Sequence, residues 1–259
     1  MAELPKHAKV VVIGQGGIVG ASVVHHLIEE GWDDIVGLEK SAIPTDIGST
    51  SHASDFCYMT THDKLNVFTS TYSREFYKKR GNYIEIGGME VARKDDDERM
   101  LELIRKVGSG KAFGTNAHMI SAAEAKEKFP LLEESEIQGA LWDPDAGLVT
   151  PRSQKVAGDL VDEAIASGKL KAFAYTPATK ILVEDGVAVG VETPKGTIMA
   201  DYLVLCAGIW GSLVSNTADV KLPLLPLEHP LLFFGPWDHL EGTGKDIVYP
   251  LMRDQGNSA

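Results

Sequence analysis

The hydrophobic positions near the start of the chain form a short apolar run, a helical repeat and a second apolar run. Residues 10–13 are apolar and β-branched and end at a glycine, which is typical of a buried parallel strand. Apolar side chains then recur at helical spacing, at Val23, Val24, Leu27 and Ile28. Gly31 ends this helix, and residues 34–39, entered through the acid pair at 33–34, form a second apolar strand. The order of strand, turn, helix and strand predicts a βαβ unit with a dinucleotide site at its turn.

Four glycines occupy the predicted turn, at Gly14, Gly16, Gly17 and Gly20. Residues without side chains let the backbone approach a pyrophosphate, and the helix that follows directs its free N–H groups there. The spacing allows two numberings of the motif. Either Gly14 and Gly16 begin it and the turn has one extra residue, or Gln15 stands in place of the first glycine. We prefer the first numbering, because residues 13–14 end the strand cleanly.

Glu39 closes the second strand, where dinucleotide-binding folds place an acid that accepts hydrogen bonds from the ribose. A carboxylate at this position repels a 2′-phosphate, so the sequence favours FAD or NAD over NADP. The alternative is a doubly wound domain with no ligand at the turn.

Helical and extended patterns alternate along the remainder of the chain. Helices are predicted over residues 63–79, 95–106, 121–129 and 152–167. Strand-like segments follow at residues 83–93, 139–149, 171–175, 180–183, 187–193, 197–199 and 201–207. The hairpin-linked segments over residues 180–199 form a β-meander, and the buried strand at residues 201–207 then returns the chain to the parallel sheet. This arrangement moves the expected cofactor from NAD toward FAD and predicts an α/β fold, a Rossmann-type FAD-binding domain with an additional mixed-sheet α+β substrate domain.

Composition narrows the class of protein. The net charge of −12 argues against a nucleic-acid partner, which requires a basic face. The two cysteines are far apart and indicate neither a disulfide framework nor a thiolate metal site, and we expect Cys206 to be a buried free thiol. Because no apolar stretch reaches membrane-spanning length and no signal peptide is recognisable, we expect a cytoplasmic protein without a membrane partner.

Six motifs in order resemble one family over nearly the whole chain. After the glycine turn they are GSTSHAS at 48–54, IGGMEVA at 86–92, DPDAGLVTP at 143–151, LCAGIWG at 205–211 and PLLPLEHP at 223–230. Together they resemble the D-amino-acid-oxidase-type FAD-dependent oxidoreductases, in the branch of dimethylglycine oxidase/dehydrogenase and sarcosine dehydrogenase. The family continues beyond the point where this chain stops, so we expect an N-terminal portion, completed by a missing C-terminal part or another subunit.

The resemblance implies cofactor contacts at Gly48, Ser49, Thr50, Ala178, Gly208 and Lys40, in addition to Glu39 and the four glycines of the turn. It also implies a covalent bond between His52 and the flavin. A neutral imidazole is a competent nucleophile near neutral pH. The alternative is a histidine that only hydrogen-bonds a phosphate or packs in the loop.

His229 matches the active-site histidine of the family, which positions the substrate amine or holds it unprotonated. The alternative is a core histidine between prolines. His25 and His26 are neighbours on a helix and diverge, so they cannot share a metal ion, and no metal site is expected.

These features predict an FAD-dependent enzyme that oxidises a secondary or tertiary N-methyl amine or amino acid to an iminium, by hydride transfer to flavin. The alternatives are a non-catalytic regulatory relative of the same fold and an NAD-dependent dehydrogenase. Between His52 and Arg74 the chain has no arginine to hold a substrate carboxylate, so the acid part of the substrate stays open.

We expect a discontinuous FAD-binding domain at residues 1–81 and 150–215, and a truncated substrate domain at residues 82–149 and 216–259. The isolated chain is expected to bind FAD weakly.

Overall fold

The computed structural model describes residues 3–228, 230, 232, 235–240 and 249–255. Its strands, in chain order, are β1 His7–Ile13, β2 Ile35–Leu38, β3 Phe56–Cys57, β4 Tyr83–Glu85, β5 Gly88–Arg93, β6 His118–Ile120, β7 Ile137–Asp143, β8 Gly147–Val149, β9 Leu170–Phe173, β10 Lys180–Glu184, β11 Val187–Thr193, β12 Gly196–Leu205 and β13 Leu251–Asp254. Its α-helices are α1 Ile18–Glu29, α2 Lys64–Lys79, α3 Asp97–Ala112, α4 Ala122–Lys128, α5 Ser153–Ala166 and α6 Gly211–Ser215.

The chain divides into two units. Unit 1 comprises Met1–Ser54 and Pro151–Pro230, and unit 2 comprises Asp55–Thr150 and Leu231–Ala259. The domain boundaries expected from the sequence differ from these in three places: residues 55–81 and residue 150 belong to unit 2, and residues 216–230 belong to unit 1.

Ion pairs explain why α2 belongs to unit 2. Arg74 of α2 pairs with Glu85 of β4 and lies 3.0 Å from the carboxylate of Asp145, and Lys78 lies 2.6 Å from Glu85. The sequence pattern predicts the helix but contains no signal for these long-range partners.

Unit 1 is built on a six-stranded sheet with the strand order β10-β11-β12-β1-β2-β9. The strands from β12 to β9 are parallel, with Val11 opposite Leu203 on one side and opposite Val36 on the other. Both sets of alternating side chains in residues 10–13 are buried, as expected of a parallel strand covered on both faces. The βαβ unit and the meander predicted from the sequence are confirmed.

One prediction about the meander was wrong. Residues 197–199 and 201–207 do not form two strands, because β12 runs unbroken from Gly196 to Leu205. Its first part pairs antiparallel with β11 and its second part parallel with β1. Asp201, which suggested an interruption, is exposed and lies 3.0 Å from the ring of His7, so its charge costs the strand little.

Unit 2 contains a four-stranded sheet, β13-β5-β7-β6, and a three-stranded sheet, β3-β8-β4. Alternate side chains of β5 point to the two faces of the larger sheet. Met89 and Val91 pack in one apolar cluster with Ala125 of α4, while Ala92 packs in another with Leu103 of α3. The predicted strand-like segments 83–93 and 139–149 are each divided into two strands by a turn.

The helix ends follow side-chain capping. Ser121 and Glu124 form the capping box expected at the start of α4, and Asp63 caps α2. The sequence predicted that α3 would end at residue 106, but the helix continues to Ala112. Gly110 lies inside this helix. A Cβ at this position would lie 2.5 Å from the hydroxyl of Thr115, so close packing favours glycine.

Candidate cofactor site

A cleft of about 500 Å³ opens in unit 1 at the carboxyl ends of the parallel strands. The glycine turn, the ends of β2 and β12, and the loops around residues 45–53 and 177–178 line it. In open α/β sheets this edge is where ligands bind. Of the predicted cofactor residues, the ones that line the cleft are Gly14, Gly17, Glu39, Lys40, Gly48, Ser49, Thr50, Ala178 and Gly208.

Three glycines of the turn have different structural roles. Gly14 has φ +87°, and a Cβ there would lie 2.7 Å from the carbonyl carbon of Cys206. Gly17 is the N-cap of α1. Gly20 lies in the first turn of the helix, where a Cβ would lie 2.7 Å from the Cα of Gln15. Helix start and close packing thus fall on Gly17 and Gly20, which agrees with the numbering that has Gln15 in the first position. The left-handed φ of Gly14 agrees with the numbering we preferred, in which Gly14 is the first glycine of a tight turn.

The side chain of Gln15 is buried without hydrogen-bond partners. It is fully inaccessible, and neither Nε2 nor Oε1 has a partner. It fills the space beside Gly37, where a Cβ would lie 2.7 Å from its Cγ. An unsatisfied buried amide destabilises the folded state.

Gln15→Met is therefore expected to raise the free energy of unfolding by about 1 kcal/mol, because methionine fills similar volume without polar atoms. Urea unfolding measures it. Gln154→Met is the matched control: Gln154 Nε2 donates to the carbonyl of Thr45 at 2.8 Å, and its loss is expected to destabilise the protein. A destabilised Gln15→Met variant would show that the amide has partners.

The amino end of α1 has no side-chain cap from its own N-cap residue. Gly17 provides no capping side chain, and the first-turn N–H groups of a helix have no intrahelical acceptor. One of them, the N–H of Ile18, donates to Thr50 Oγ1 at 3.0 Å. The helix dipole and the remaining donors make this end of the cleft suitable for a phosphate group.

Glu39 is almost fully buried at the end of β2, with 5% of its surface exposed. Its Oε2 accepts from the N–H of Gly16 at 3.1 Å, and its Oε1 accepts from the N–H of Ser41 at 3.1 Å. The hydroxyl of Ser41 also donates to Oε1, at 3.3 Å. These bonds hold the carboxylate in place, and Oε2 keeps a lone pair for a further donor. Gly16 does not line the cleft; a Cβ there would lie 2.8 Å from Glu39 Cγ, so this glycine makes room for the acid.

His52 lies at the end of the 3-10 turn Ser49–His52 and is exposed. Its Nδ1 lies 3.1 Å from the carbonyl oxygen of Gly48 and 2.9 Å from Ser51 Oγ. A carbonyl oxygen can only accept a hydrogen bond, so in the neutral ring this contact requires the proton on Nδ1 and leaves the lone pair on Nε2. The ring is not among the residues that line the cleft, although its neighbours are.

The sequence did not predict several residues that line the cleft, although two of them, Cys206 and Trp210, belong to the LCAGIWG motif and Leu213 lies two residues after it. Cys206, Trp210 and Leu213 all line the cleft. Burial raises the pKa of the Cys206 thiol, so it stays protonated and is a poor nucleophile. Lys40 Nζ lies 3.7 Å from the centroid of the Trp210 ring. Both cysteines are free, and Cys206 is half-buried rather than buried as the sequence predicted.

The predicted catalytic residue His229 lies outside the described residues. Among the residues that the structure describes, no group of three or more His, Cys, Asp or Glu side chains is arranged to hold a metal ion. None of the helices in this part of the chain has the length and apolar character needed to span a membrane.

The family described as FAD dependent oxidoreductase matches residues 9–257. The chain belongs to this family. The family and the fold class expected from the sequence are thereby confirmed. L-proline dehydrogenase from P. horikoshii has a similar structure, with a TM-score of 0.75 and 29% identity over 84% of this chain and 57% of that one.

Of two curated relatives of this FAD-dependent oxidoreductase, one is named as a regulatory subunit and the other as an enzyme. The mouse (Mus musculus) mitochondrial pyruvate dehydrogenase phosphatase regulatory subunit is 32% identical over 91% of this chain and 27% of its own length. Human (Homo sapiens) mitochondrial sarcosine dehydrogenase is 32% identical over 87% of this chain and 25% of its own length. The chain therefore spans about a quarter of the length of these relatives.

Proposed function

We propose that this protein binds FAD in the unit 1 cleft and oxidises a secondary or tertiary N-methyl amine or amino acid. One observation carries the proposal: the buried Glu39 and the amino end of α1, whose N-cap residue Gly17 has no capping side chain, line the same cleft. The similarity to sarcosine dehydrogenase supports an amine as the substrate.

The cleft residues fit the nucleotide part of FAD. Glu39 keeps acceptor capacity for ribose hydroxyls, and the N–H groups of the first turn of α1 suit a pyrophosphate. A side chain at Gly17 would crowd Thr50 Oγ1 at 3.3 Å and fill this position. Bound FAD supplies an acceptor for a hydride. On the protein side, His229 would keep the substrate amine unprotonated, so that its lone pair assists as the hydride leaves the N-methyl carbon.

The test of this proposal uses the full chain with bound FAD, mixed anaerobically with sarcosine, N,N-dimethylglycine or glycine. We expect the N-methyl compounds to bleach the absorbance of the oxidised flavin, and glycine, which lacks the methyl group, to leave it unchanged. Equal bleaching by glycine would overturn the N-methyl specificity.

A second candidate function is a non-catalytic regulatory subunit, favoured by the similarity to the mouse regulatory subunit. It predicts an FAD-bound chain that no amine in the anaerobic series reduces. Bound NAD without flavin would instead support the NAD-dependent dehydrogenase.

We also propose that His52 tethers the flavin covalently. The support is its place in the loop whose residues 48–50 line the cleft, and the lone pair on Nε2. We expect yellow colour to stay with the acid-precipitated protein and to be lost in His52→Ala. His118→Ala is the matched control, since His118 is also exposed and its Nδ1 lies 3.2 Å from a backbone carbonyl. Colour that stays in the His52→Ala pellet would assign the tether elsewhere.

The binding partners and the cellular compartment of the protein stay predictions. We propose a small-molecule amine substrate, no nucleic-acid or membrane partner, and completion of the site by a further polypeptide segment or another subunit. The cytoplasmic prediction rests on free thiols and on the sequence pattern; the two curated relatives are both named as mitochondrial.

A further inference from the structure

Lys40 and Trp210 meet across the edge of the unit 1 sheet. Lys40 comes two residues after β2 and Trp210 follows the end of β12, and these strands lie on either side of β1. Both residues line the cleft, and their contact of 3.7 Å joins the two sides of its opening. Two side chains that follow the strands on either side of β1 thus line one cleft.

The charges of the cleft are few. Among the described residues that line it, Glu39 is the only anion and Lys40 the only cation. Within the described part of the chain Lys40 forms no ion pair, and its ammonium lies over the indole of Trp210. Cation–π attraction holds an ammonium over the face of a tryptophan.

This position matters because Lys40 directly follows the acid that reads the ribose. An acid at this point selects a free 2′-hydroxyl, whereas a nearby cation accommodates a 2′-phosphate. The chain therefore has adjacent groups with opposite preferences. Which preference prevails depends on where the ammonium is held.

Building on the proposed function, we propose that Trp210 is a specificity-determining residue of the nucleotide cleft. Its indole holds the Lys40 ammonium away from the ribose, so that Glu39 alone reads the 2′ position and the cleft rejects 2′-phosphorylated nucleotides. Without the indole, the ammonium is free to pair with a 2′-phosphate.

The test measures the Kd values of ADP-ribose and 2′-phospho-ADP-ribose by isothermal titration calorimetry with the full chain. In Trp210→Ala we expect the preference for ADP-ribose to fall about tenfold, a change that one new charge-assisted contact supplies. Lys40→Met is expected to keep the wild-type preference, since Glu39 remains. The double variant Trp210→Ala/Lys40→Met is expected to regain it, because no cation is left to accept the 2′-phosphate.

Unit 1 offers a matched control pair. Lys9 Nζ lies 5.0 Å from the ring of Trp32, at the amino ends of the strands and away from the cleft, so Trp32→Ala is expected to leave the preference unchanged. Trp210→Phe, which keeps an aromatic face, is expected to retain most of the preference and covers the case in which the alanine variant does not fold. A preference for ADP-ribose that falls by about tenfold in Trp210→Phe as well would contradict the role of the aromatic face.

The outcomes separate this inference from the function it rests on. A wild-type chain that binds neither nucleotide overturns both the proposed cofactor site and the role of Trp210. A wild-type chain that prefers ADP-ribose, with the same preference in Trp210→Ala, overturns the role of Trp210 alone. A preference that falls equally in the presence and absence of Lys40 has the same meaning.

Discussion

Gly20→Ala is expected to lower the free energy of unfolding by about 3 kcal/mol, the upper part of the range for overpacking a tight contact. The added methyl group would overlap the carbonyl oxygen of Gly14 and lie 2.7 Å from the Cα of Gln15. Both are backbone atoms of the glycine turn, so no side-chain rotation relieves the overlap. Because the turn also lines the cleft, we expect nucleotide binding to be lost together with stability. Urea unfolding and titration with ADP measure the two effects.

Gly108→Ala provides the matched control for this prediction. Gly108 also lies inside a helix, α3, but nothing lies within 4 Å of a Cβ placed there. Alanine is the better helix former by about 1 kcal/mol, so this variant should be more stable than the wild type. If both glycines respond with the same sign, helix propensity rather than packing controls Gly20.

Glu90→Leu is expected to lower the free energy of unfolding by about 3–5 kcal/mol, because it removes the buried carboxylate that pairs with the buried cations Lys106 and Arg99. Glu90 lies on β5 and is fully buried. Its Oε1 lies 2.6 Å from Lys106 Nζ, and its Oε2 lies 3.1 Å from Arg99 Nη2. Arg253 approaches within 3.7 Å. Glu90 therefore joins α3 to β5 and β13, and urea unfolding of the variant measures its effect.

Glu102→Gln is the control for burial. Glu102 pairs with the same Arg99, but its side chain is 45% exposed, and exposed pairs contribute about 0–1 kcal/mol. The double variant Glu90→Leu/Lys106→Met should recover part of the loss, since it also removes an unpaired cation. A Glu90→Leu variant no weaker than Glu102→Gln would mean that water or relaxation solvates the cations.

The parts of this protein that depend on local sequence could be predicted. Residues 10–13, the glycine turn and Glu39 carry a pattern that any parallel βαβ unit shares, and the structure places them together as expected. Ser121 and Glu124 predict their own helix start, because the capping box lies within four consecutive residues.

Other features depend on partners distant in the chain. Gly110 of α3 lies where a Cβ would meet Thr115 and Thr60, and the path of β12 depends on pairing first with β11 and then with β1. The assignment of α2 to unit 2 depends on ion pairs made by Arg74. None of these contacts produces a periodic signal in the sequence.

The sequence by itself determined the family, the order of the elements and the acid that closes the second strand, because each is written in residues close together or in a fixed motif. The tertiary structure alone decided which glycine does which task, and that Gly16 makes room for Glu39 rather than lining the cleft. It alone brought Trp210 to Lys40 across β1. The physical reason is that steric and electrostatic contacts act between atoms that are near in space, and the sheet brings together residues that are 170 positions apart in the chain.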